Sequence, residues 1–221
     1  MEGEAIAQAP SETLQWKRPL DLVTGATLLL ASFPLWIIIA LLIKLDSRGP
    51  VFFAQEAIGR GGQPFRLYKF RTMRTDADNE RHRSFIADFV RGSSVQDKDP
   101  GERKVYKMVD DDRVTRVGRW LRRAGVDELP QLLNVLRGEM SVVGPRPPLP
   151  YEFALYDDWA RQRLAVQPGI TGLYQVTRRS EASFREMVEV DLEYIRRRSL
   201  WLDLGIMART APVMLLGKGG Y

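Results

Sequence analysis

An uncharged, apolar run from Leu22 to Ile43 constrains this chain more than any other feature of its sequence. As a straight helix the run would be about 33 Å long, which exceeds the roughly 30 Å hydrocarbon core of a bilayer. The mean hydropathy of the whole chain is nevertheless −0.25, and 28% of its 221 residues are charged. The sequence therefore predicts one membrane segment joined to a polar domain, and it excludes a protein with several membrane spans.

Two observations favour a re-entrant helix-break-helix over a helix that crosses the membrane. Pro34, with Ser32 nearby, stands near the middle of the run, where proline removes a backbone hydrogen bond and clashes with the preceding turn. A crossing helix usually has its basic residues on one side, but here both flanks are basic, with Lys17, Arg18, Lys44 and Arg48. We therefore expect a tail of residues 1–15 and a membrane hairpin of residues 16–46, broken at Ser32 and Pro34. A straight span is the alternative.

The residue types that the chain lacks restrict its chemistry. It contains no cysteine and a single histidine, His82, which excludes disulfides and zinc–thiolate sites and argues against Ser–His–Asp and Cys–His catalysis. Its 33 basic and 28 acidic residues give a net charge of +5, so the chain is modestly basic. Carboxylates, amines, hydroxyls, backbone amides and a hard cation are the candidates that remain for catalysis.

Residues 47–221 are predicted to form a mainly helical α+β domain that begins with a β-hairpin. Val51–Gln55 and Pro64–Arg71 are the predicted strands, and the second one carries Lys69 and Arg71. Residues 75–112 are strongly polar and are predicted to be an insertion or loop, although three consecutive aspartates leave a metal site open. Arginines at helical spacing follow, including Arg119, and predict a helix whose basic face binds phosphates or anionic lipid, or faces solvent.

Asp127 and Glu128 form an acidic pair just before an apolar helical stripe that ends at Gly138. This places both carboxylates at or beside a helix N-terminus, where the helix dipole favours negative charge. Simple N-capping would account for Asp127 alone. It does not account for the adjacent glutamate or for the arginine-rich helix before the pair, so the two carboxylates are candidates for catalysis.

Two later segments carry residue types that bind anions. Arg146 lies between two prolines, whose stiff backbone lets a guanidinium bind a phosphate with little loss of entropy; a loop arginine in a polyproline turn is the alternative. Pro168–Val176 is predicted to be a glycine turn leading into a short strand. It makes Gln175 and Arg178 further candidates for phosphate or substrate binding.

Two amphipathic helices are predicted near the end of the chain. The apolar stripe of Phe184–Ile195 is assigned to core packing. Leu200–Leu216 is largely apolar but is interrupted by Asp203, Arg209 and Pro212, so it is predicted to lie at the membrane interface rather than to form a second span.

The chain resembles the bacterial sugar transferases, the monotopic phosphoglycosyl transferases that act on polyprenol phosphate. The resemblance extends from about Trp16 to the C-terminus and is carried by five motifs in the family's order. They are Lys69–Met73, Asp112–Arg119, Asp127–Leu132, Gly138–Pro147 and Pro168–Gly172.

The resemblance implies that Asp127 is a nucleophile and Glu128 its partner in an acidic dyad. It places Arg146 on the family's Pro-Arg-Pro element and Lys69 and Arg71 on its basic strand. The implied reaction transfers a phosphosugar from a UDP-sugar to polyprenol phosphate through an aspartyl-phosphosugar intermediate, with release of UMP. Mg²⁺ or another divalent cation, held by Asp127 and Glu128, is the implied cofactor.

The resemblance also implies a monotopic protein of the bacterial inner membrane, with a re-entrant hairpin and the catalytic domain on the cytoplasmic face. The expected partners are a UDP-sugar, polyprenol phosphate and membrane lipids, but not nucleic acid, and a homo-oligomer is left open. Two competing hypotheses are a membrane-anchored basic module that binds anionic lipid or nucleic acid, and a catalytically silent scaffold of the same fold. The acidic pair argues against the first because it would repel a polyanion.

Overall fold

The computed structural model describes residues 14–74, 80–91, 113–177 and 183–215, and the predicted mainly helical α+β class is confirmed within them. The helices are α1 (Lys17–Asp46), α2 (Glu80–Arg91), α3 (Arg116–Ala124), α4 (Gln131–Arg137), α5 (Pro150–Phe153), α6 (Asp158–Arg161), α7 (Leu173–Thr177), α8 (Phe184–Arg197) and α9 (Leu200–Leu215). The strands are β1 (Phe52–Ile58), β2 (Pro64–Phe70), β3 (Ser141–Val143) and β4 (Gly169–Thr171).

The predicted β-hairpin is confirmed. β1 and β2 pair antiparallel, from Phe52 opposite Phe70 to Ile58 opposite Pro64. The free edge of β2 is covered by a side chain rather than by a third strand. The buried Asn134 of α4 accepts a hydrogen bond from the Tyr68 amide at 3.2 Å and donates to the Arg66 carbonyl at 2.6 Å. Asn134 thereby fixes α4 against the strand that carries Lys69.

The main core lies where α4, α8 and α9 pack around a second, two-stranded sheet. β3 and β4 pair parallel, with Ser141 opposite Gly169 and Val143 opposite Thr171. The core cluster includes Val135, Val143 and Val188, each at most 1% exposed. The loop that carries Arg146 begins directly after β3 of this sheet, at Val143.

α1 is one continuous 30-residue helix that includes Pro34, so the predicted break into two helices is not observed. A single proline removes one backbone hydrogen bond, and neighbouring groups can compensate for it. Ser32 lies in this turn, where its Oγ donates to the Leu29 carbonyl at 3.3 Å and accepts from Trp36 Nε1 at 3.2 Å. Among the described residues, only α1 is long and apolar enough to cross a membrane.

α1 packs against the domain near its start and through one side of its second half. Near its start Asp21 and Gly25 are buried, and in its second half Trp36, Ile39 and Ile43 are buried. Trp36, Ile39 and Ile43 form an apolar cluster with Phe70 and Leu121, called the α1 cluster below. The rest of the helix surface is exposed along its length, with Val23 66%, Leu30 75% and Leu45 85% exposed.

Two local predictions are wrong in part. Pro168–Val176 was predicted to be a turn leading into a short strand, but the strand β4 lies at Gly169–Thr171 and the residues after it belong to α7, where Tyr174 is buried in a small apolar cluster with Phe89 and Met187. Residues 75–112 were predicted to be an insertion or loop, but α2 within them is a helix that buries Ile86 and Phe89, so that part is not a loop. Its three aspartates at 110–112 lie outside the described residues.

Candidate active site

Asp127 and Glu128 lie in a short 3₁₀ turn, Val126–Glu128, between α3 and α4. Gly125 ends α3 at a φ of 69°, where its amide bonds to the Leu121 and Arg122 carbonyls. A residue with a Cβ is strained at such a φ, so glycine permits the sharp entry into the turn. The simple N-capping interpretation of Asp127 is wrong, because Pro130 occupies the N-cap position of α4 and no side chain caps that helix. Asp127 is 8% exposed.

The acidic turn rests on the α1 cluster. Val126 and Leu129, which flank the two carboxylates, and Leu133 of α4 all pack against this cluster. The backbone of the turn is therefore set by contacts with the second half of the apolar helix. This arrangement places the carboxylates where the hairpin, α3 and α1 meet.

The structure brings Lys69 to the acidic pair. Lys69 Nζ lies 3.1 Å from Glu128 Oε1, and the two side chains are 17% and 28% exposed. Partial burial reduces screening by water, so this pair is stronger than a pair at the open surface. β1 on one side of β2 and Asn134 on the other hold Lys69 in place.

Glycines allow the Arg146 loop to approach the β4 segment closely. An added Cβ at Gly169 would lie 2.0 Å from the Gly144 amide nitrogen, and one at Gly172 would lie 2.4 Å from the Gly144 carbonyl oxygen. Any larger residue would push the two segments apart. The Gly138–Pro147 and Pro168–Gly172 motifs are therefore two sides of one backbone contact, and Gln175 lies over it, with its Oε1 2.7 Å from where a Gly172 Cβ would be.

Two residues after the Arg146 loop show how charge is arranged around it. Burial raises the pKa of the Glu152 carboxyl, and the charge of Arg146, followed by those of Arg163 and Lys69, opposes that rise. Burial also raises the pKa of the Tyr151 hydroxyl, and Arg146, Arg83 and Arg113 oppose it. Positive charge therefore acts on both residues, and Arg83 lies over the Tyr151 ring at 5.6 Å. Positive charge of this kind suits a site for phosphates.

Sequence reasoning missed Glu152 and Tyr151. Glu152 is 4% exposed and its Oε2 accepts a hydrogen bond from the Leu149 amide at 3.2 Å. A carboxylate placed shortly after an arginine in a proline-rich, apolar stretch is a sequence pattern that could have identified it.

The other predicted phosphate-binding residues have different positions. Arg71 is 4% exposed and donates to the Arg48 carbonyl at 2.5 Å and to the Ser47 carbonyl at 2.8 Å, so its guanidinium holds the turn after α1. Arg119 is exposed on α3 and donates to the Val114 carbonyl at 3.4 Å. Arg178 lies outside the described residues.

The predicted divalent cation would be held by Asp127 and Glu128. Within the described ranges no group of three or more His, Cys, Asp or Glu side chains could form a complete protein site. Two adjacent carboxylates nevertheless fit Mg²⁺, which usually binds one or two carboxylates and completes its shell with water and substrate phosphates. The donor set therefore fits a cation bound together with a phosphate substrate.

Comparisons with known proteins identify the family of this chain. The family model described as bacterial sugar transferase matches residues 12–217. The exopolysaccharide production protein ExoY of Rhizobium meliloti is 40% identical over 205 residues, which cover 93% of this chain and 88% of that protein. The UDP-glucose:undecaprenyl-phosphate glucose-1-phosphate transferase of Caulobacter vibrioides is 41% identical over 217 residues, covering 93% and 72% of the two chains.

The undecaprenyl-phosphate glucose phosphotransferase of Komagataeibacter xylinus is 44% identical over 218 residues, which cover 93% of this chain and 37% of that longer protein. The match extends over the apolar helix α1, the acidic turn and the Arg146 loop alike. This chain therefore belongs to the bacterial sugar transferase family, and its enzyme class is phosphoglycosyl transferase, as the sequence motifs predicted.

Proposed function

We propose that this enzyme transfers a phosphosugar from a UDP-sugar to undecaprenyl phosphate through an intermediate on Asp127. The observation that carries the proposal is the acidic turn. It holds a buried aspartate next to a glutamate that is paired with Lys69, and the residues flanking the two carboxylates pack against the α1 cluster. The names of two relatives, which specify undecaprenyl phosphate and glucose or UDP-glucose, support this choice of acceptor and donor class.

The reaction consists of two displacements at one phosphorus atom. In the first, a carboxylate oxygen of Asp127 attacks the sugar-bearing phosphorus, and the bond from that phosphorus to the bridging oxygen breaks, so that UMP leaves with the electron pair. In the second, a phosphate oxygen of undecaprenyl phosphate attacks the same phosphorus and the acyl-phosphate bond to Asp127 breaks. The products are undecaprenyl-diphosphate-sugar and the free Asp127 carboxylate.

Positive charge is needed because the donor diphosphate and the two carboxylates repel one another. Lys69 neutralises Glu128, to which it is paired at 3.1 Å. Arg146 binds the phosphates of the donor, with Arg83 and Arg113 nearby. A divalent cation bound by Asp127 and Glu128 would neutralise phosphate charge as a Lewis acid.

We infer further that α1 lies along one face of the membrane, with both of its ends on that face. At its start Lys17 donates to the Val143 carbonyl at 2.8 Å, and at its end Asp46 Oδ2 accepts from the Val117 amide at 2.9 Å. Both ends therefore bind the same polar domain, whereas the ends of a crossing helix are separated by about 30 Å of hydrocarbon. The exposed face of α1, which includes Leu30 and Phe33, is the part that contacts the lipid. The basic residues at both ends of the helix support a domain on the cytoplasmic face of the inner membrane.

Purified protein incubated with undecaprenyl phosphate and a panel of UDP-glucose, UDP-galactose and UDP-N-acetylglucosamine tests the reaction. We expect UMP release with at least one donor, and without the lipid a single equivalent of UMP with a phosphosugar adduct on Asp127, detected by peptide mass spectrometry. Asp127→Asn should abolish both, whereas Asp158→Asn, a matched change at a fully exposed carboxylate, should leave them intact. Full activity of Asp127→Asn would refute the aspartyl mechanism.

Cysteine labelling tests the membrane arrangement, because the natural chain has no cysteine. Single cysteines at Gln15 and Arg48, which are exposed at the two ends of α1, should react with a membrane-impermeant maleimide from the same side of sealed vesicles. A cysteine at Leu30 should react only after detergent is added. Labelling of the two ends from opposite sides would establish a crossing helix.

A non-catalytic basic module is the competing function. It would bind anionic vesicles in a salt-sensitive way and show no turnover with any donor. The confirmed family and the retained acidic pair favour catalysis.

A further inference from the structure

The loop that carries Arg146 is held through its carbonyl groups. Three of its residues, Pro145, Pro147 and Pro148, have no backbone N–H to donate. The Pro145 carbonyl accepts from the Gly169 amide at 2.8 Å, and the Pro148 carbonyl accepts from the Ile58 amide at 2.9 Å. Between these two backbone contacts, the Arg146 carbonyl accepts from Nη2 of Arg163 at 3.3 Å.

Arg163 connects three parts of the fold from a buried position. It is 3% exposed, and its Nε and Nη2 each lie 2.7 Å from Asp191 Oδ2. Nη1 donates to the Tyr156 hydroxyl at 2.8 Å, and the guanidinium also lies over the Tyr156 ring. The planar fork of arginine is required for this, since a lysine ammonium cannot reach all of these acceptors at once.

Stability does not explain why a charged pair is buried here. Removing two charges from water costs several kcal/mol for each ion, and apolar residues of similar volume often give an equally stable protein. Burial raises the pKa of the Asp191 carboxyl, and the charge and hydrogen bond of Arg163 oppose it, so the carboxylate depends on Arg163. The pair therefore calls for a role other than core packing.

We propose that Arg163, held by Asp191, is a positioning residue that sets the backbone at Arg146 and thereby the guanidinium that binds the sugar nucleotide. The inference rests on the proposed function, in which Arg146 binds the donor phosphates. Arg163 does not touch the substrate itself. Its effect is on donor binding and not on the lipid acceptor.

The test replaces the pair so that, of the groups that Arg163 binds, only the Arg146 carbonyl loses its donor. Tyr156→Phe is the control, because it removes the hydroxyl that Arg163 also binds and leaves the Arg146 carbonyl contact in place. Adding Arg163→Met and Asp191→Leu to this control exchanges the buried charges for apolar side chains of similar volume. We expect an unfolding temperature within a few degrees of the control. The KM for the UDP-sugar should rise roughly tenfold, with the KM for undecaprenyl phosphate unchanged.

Two further measurements keep the test decisive. Arg163→Lys retains the charge opposite Asp191 and should also raise the donor KM; wild-type donor KM values in this variant or in the triple variant would overturn the proposal. Hydrogen exchange at the amides of Arg146 and Leu149 should be faster in the triple variant than in Tyr156→Phe without any substrate. Unchanged exchange would refute the positioning role whatever the activity. If exchange is faster in the triple variant but the wild-type protein releases no UMP from any donor, the positioning role stands and the proposed function has failed.

Discussion

Lys17→Met removes a cation that binds the start of α1 to the domain. Lys17 Nζ donates to the Val143 carbonyl at 2.8 Å and forms an ion pair with Asp203, which is 0% exposed. The Tyr194 hydroxyl donates to the other Asp203 oxygen at 2.9 Å. Methionine retains most of the apolar stem of lysine, so the substitution tests the charge rather than the packing.

The expected cost follows from the burial of the two partners. Breaking a buried ion pair from one side costs about 3–5 kcal/mol, because the other charge is left without its partner. Lys17 is 18% exposed, so some water reaches the pair and we expect about 3 kcal/mol. For a chain of this size that loss lowers the unfolding temperature by about 6–12 °C.

The cost should depend on pH. Burial raises the pKa of the Asp203 carboxyl, and Lys17 opposes that rise, so the pKa of Asp203 is higher still in the variant. A carboxyl with a raised pKa in the folded state binds its proton more readily there than in the unfolded chain. Stability is therefore lost as the pH rises through the folded pKa. The penalty of Lys17→Met should be smaller at pH 5 than at pH 8.

Thermal unfolding followed by tryptophan fluorescence in detergent, at both pH values, checks this prediction. Adding Asp203→Asn to Lys17→Met removes the orphaned charge and keeps an oxygen for the Tyr194 hydroxyl, so the double variant should recover most of the loss. Arg197→Met breaks an exposed pair and is the control, with an expected cost below about 1 kcal/mol. A wild-type unfolding temperature in Lys17→Met, or a double variant no more stable than the single one, would show that the reasoning is wrong.

Three further predictions follow from single positions. Gly118→Ala should greatly lower the yield of folded protein because its Cβ would lie 2.1 Å from the Thr72 carbonyl oxygen, whereas Gly205→Ala on α9, with open space around it, should be neutral or slightly stabilising by thermal unfolding. Asn134→Ala removes three hydrogen bonds of about 1 kcal/mol each and should reduce the free energy of unfolding in urea by about 3 kcal/mol; a loss under about 1 kcal/mol would contradict its role at the strand edge. Pro34→Ala should leave the ends of α1 on one membrane face in the cysteine assay, because contacts with the domain and not the proline set that arrangement; labelling from opposite faces would disprove this.

The parts of the fold that the sequence predicted well depend on local patterns. Alternating side chains predicted β2, and the apolar stripe before Gly138 predicted α4, whose C-cap glycine has a φ of 81°. The acidic pair and Lys69 were chosen as candidates from residue type and motif alone, and the structure pairs Lys69 with Glu128.

The parts that it missed depend on contacts between distant segments. Lys69 and Arg71 are two positions apart and chemically alike, yet one binds Glu128 and the other binds the carbonyls of a turn. Lys17 was interpreted only as a basic flank, although its partner Asp203 is 186 residues away. Asp191 offered one clue, since it is a charged residue within the apolar stripe of α8.

The role of α1 shows how composition and packing divide the chain differently. By composition, the chain changes at residues 46–47, where an apolar segment gives way to a polar domain. By packing it does not change there, because Asp46 bonds to the first turn of α3, Arg71 holds the turn after α1, and the acidic turn rests on Ile39 and Ile43. The side of α1 that faces the domain therefore helps to build the site, while its exposed face is free to contact lipid. Because the same helix does both, the proposed function brings a lipid-borne phosphate to the helix that supports the Asp127 turn.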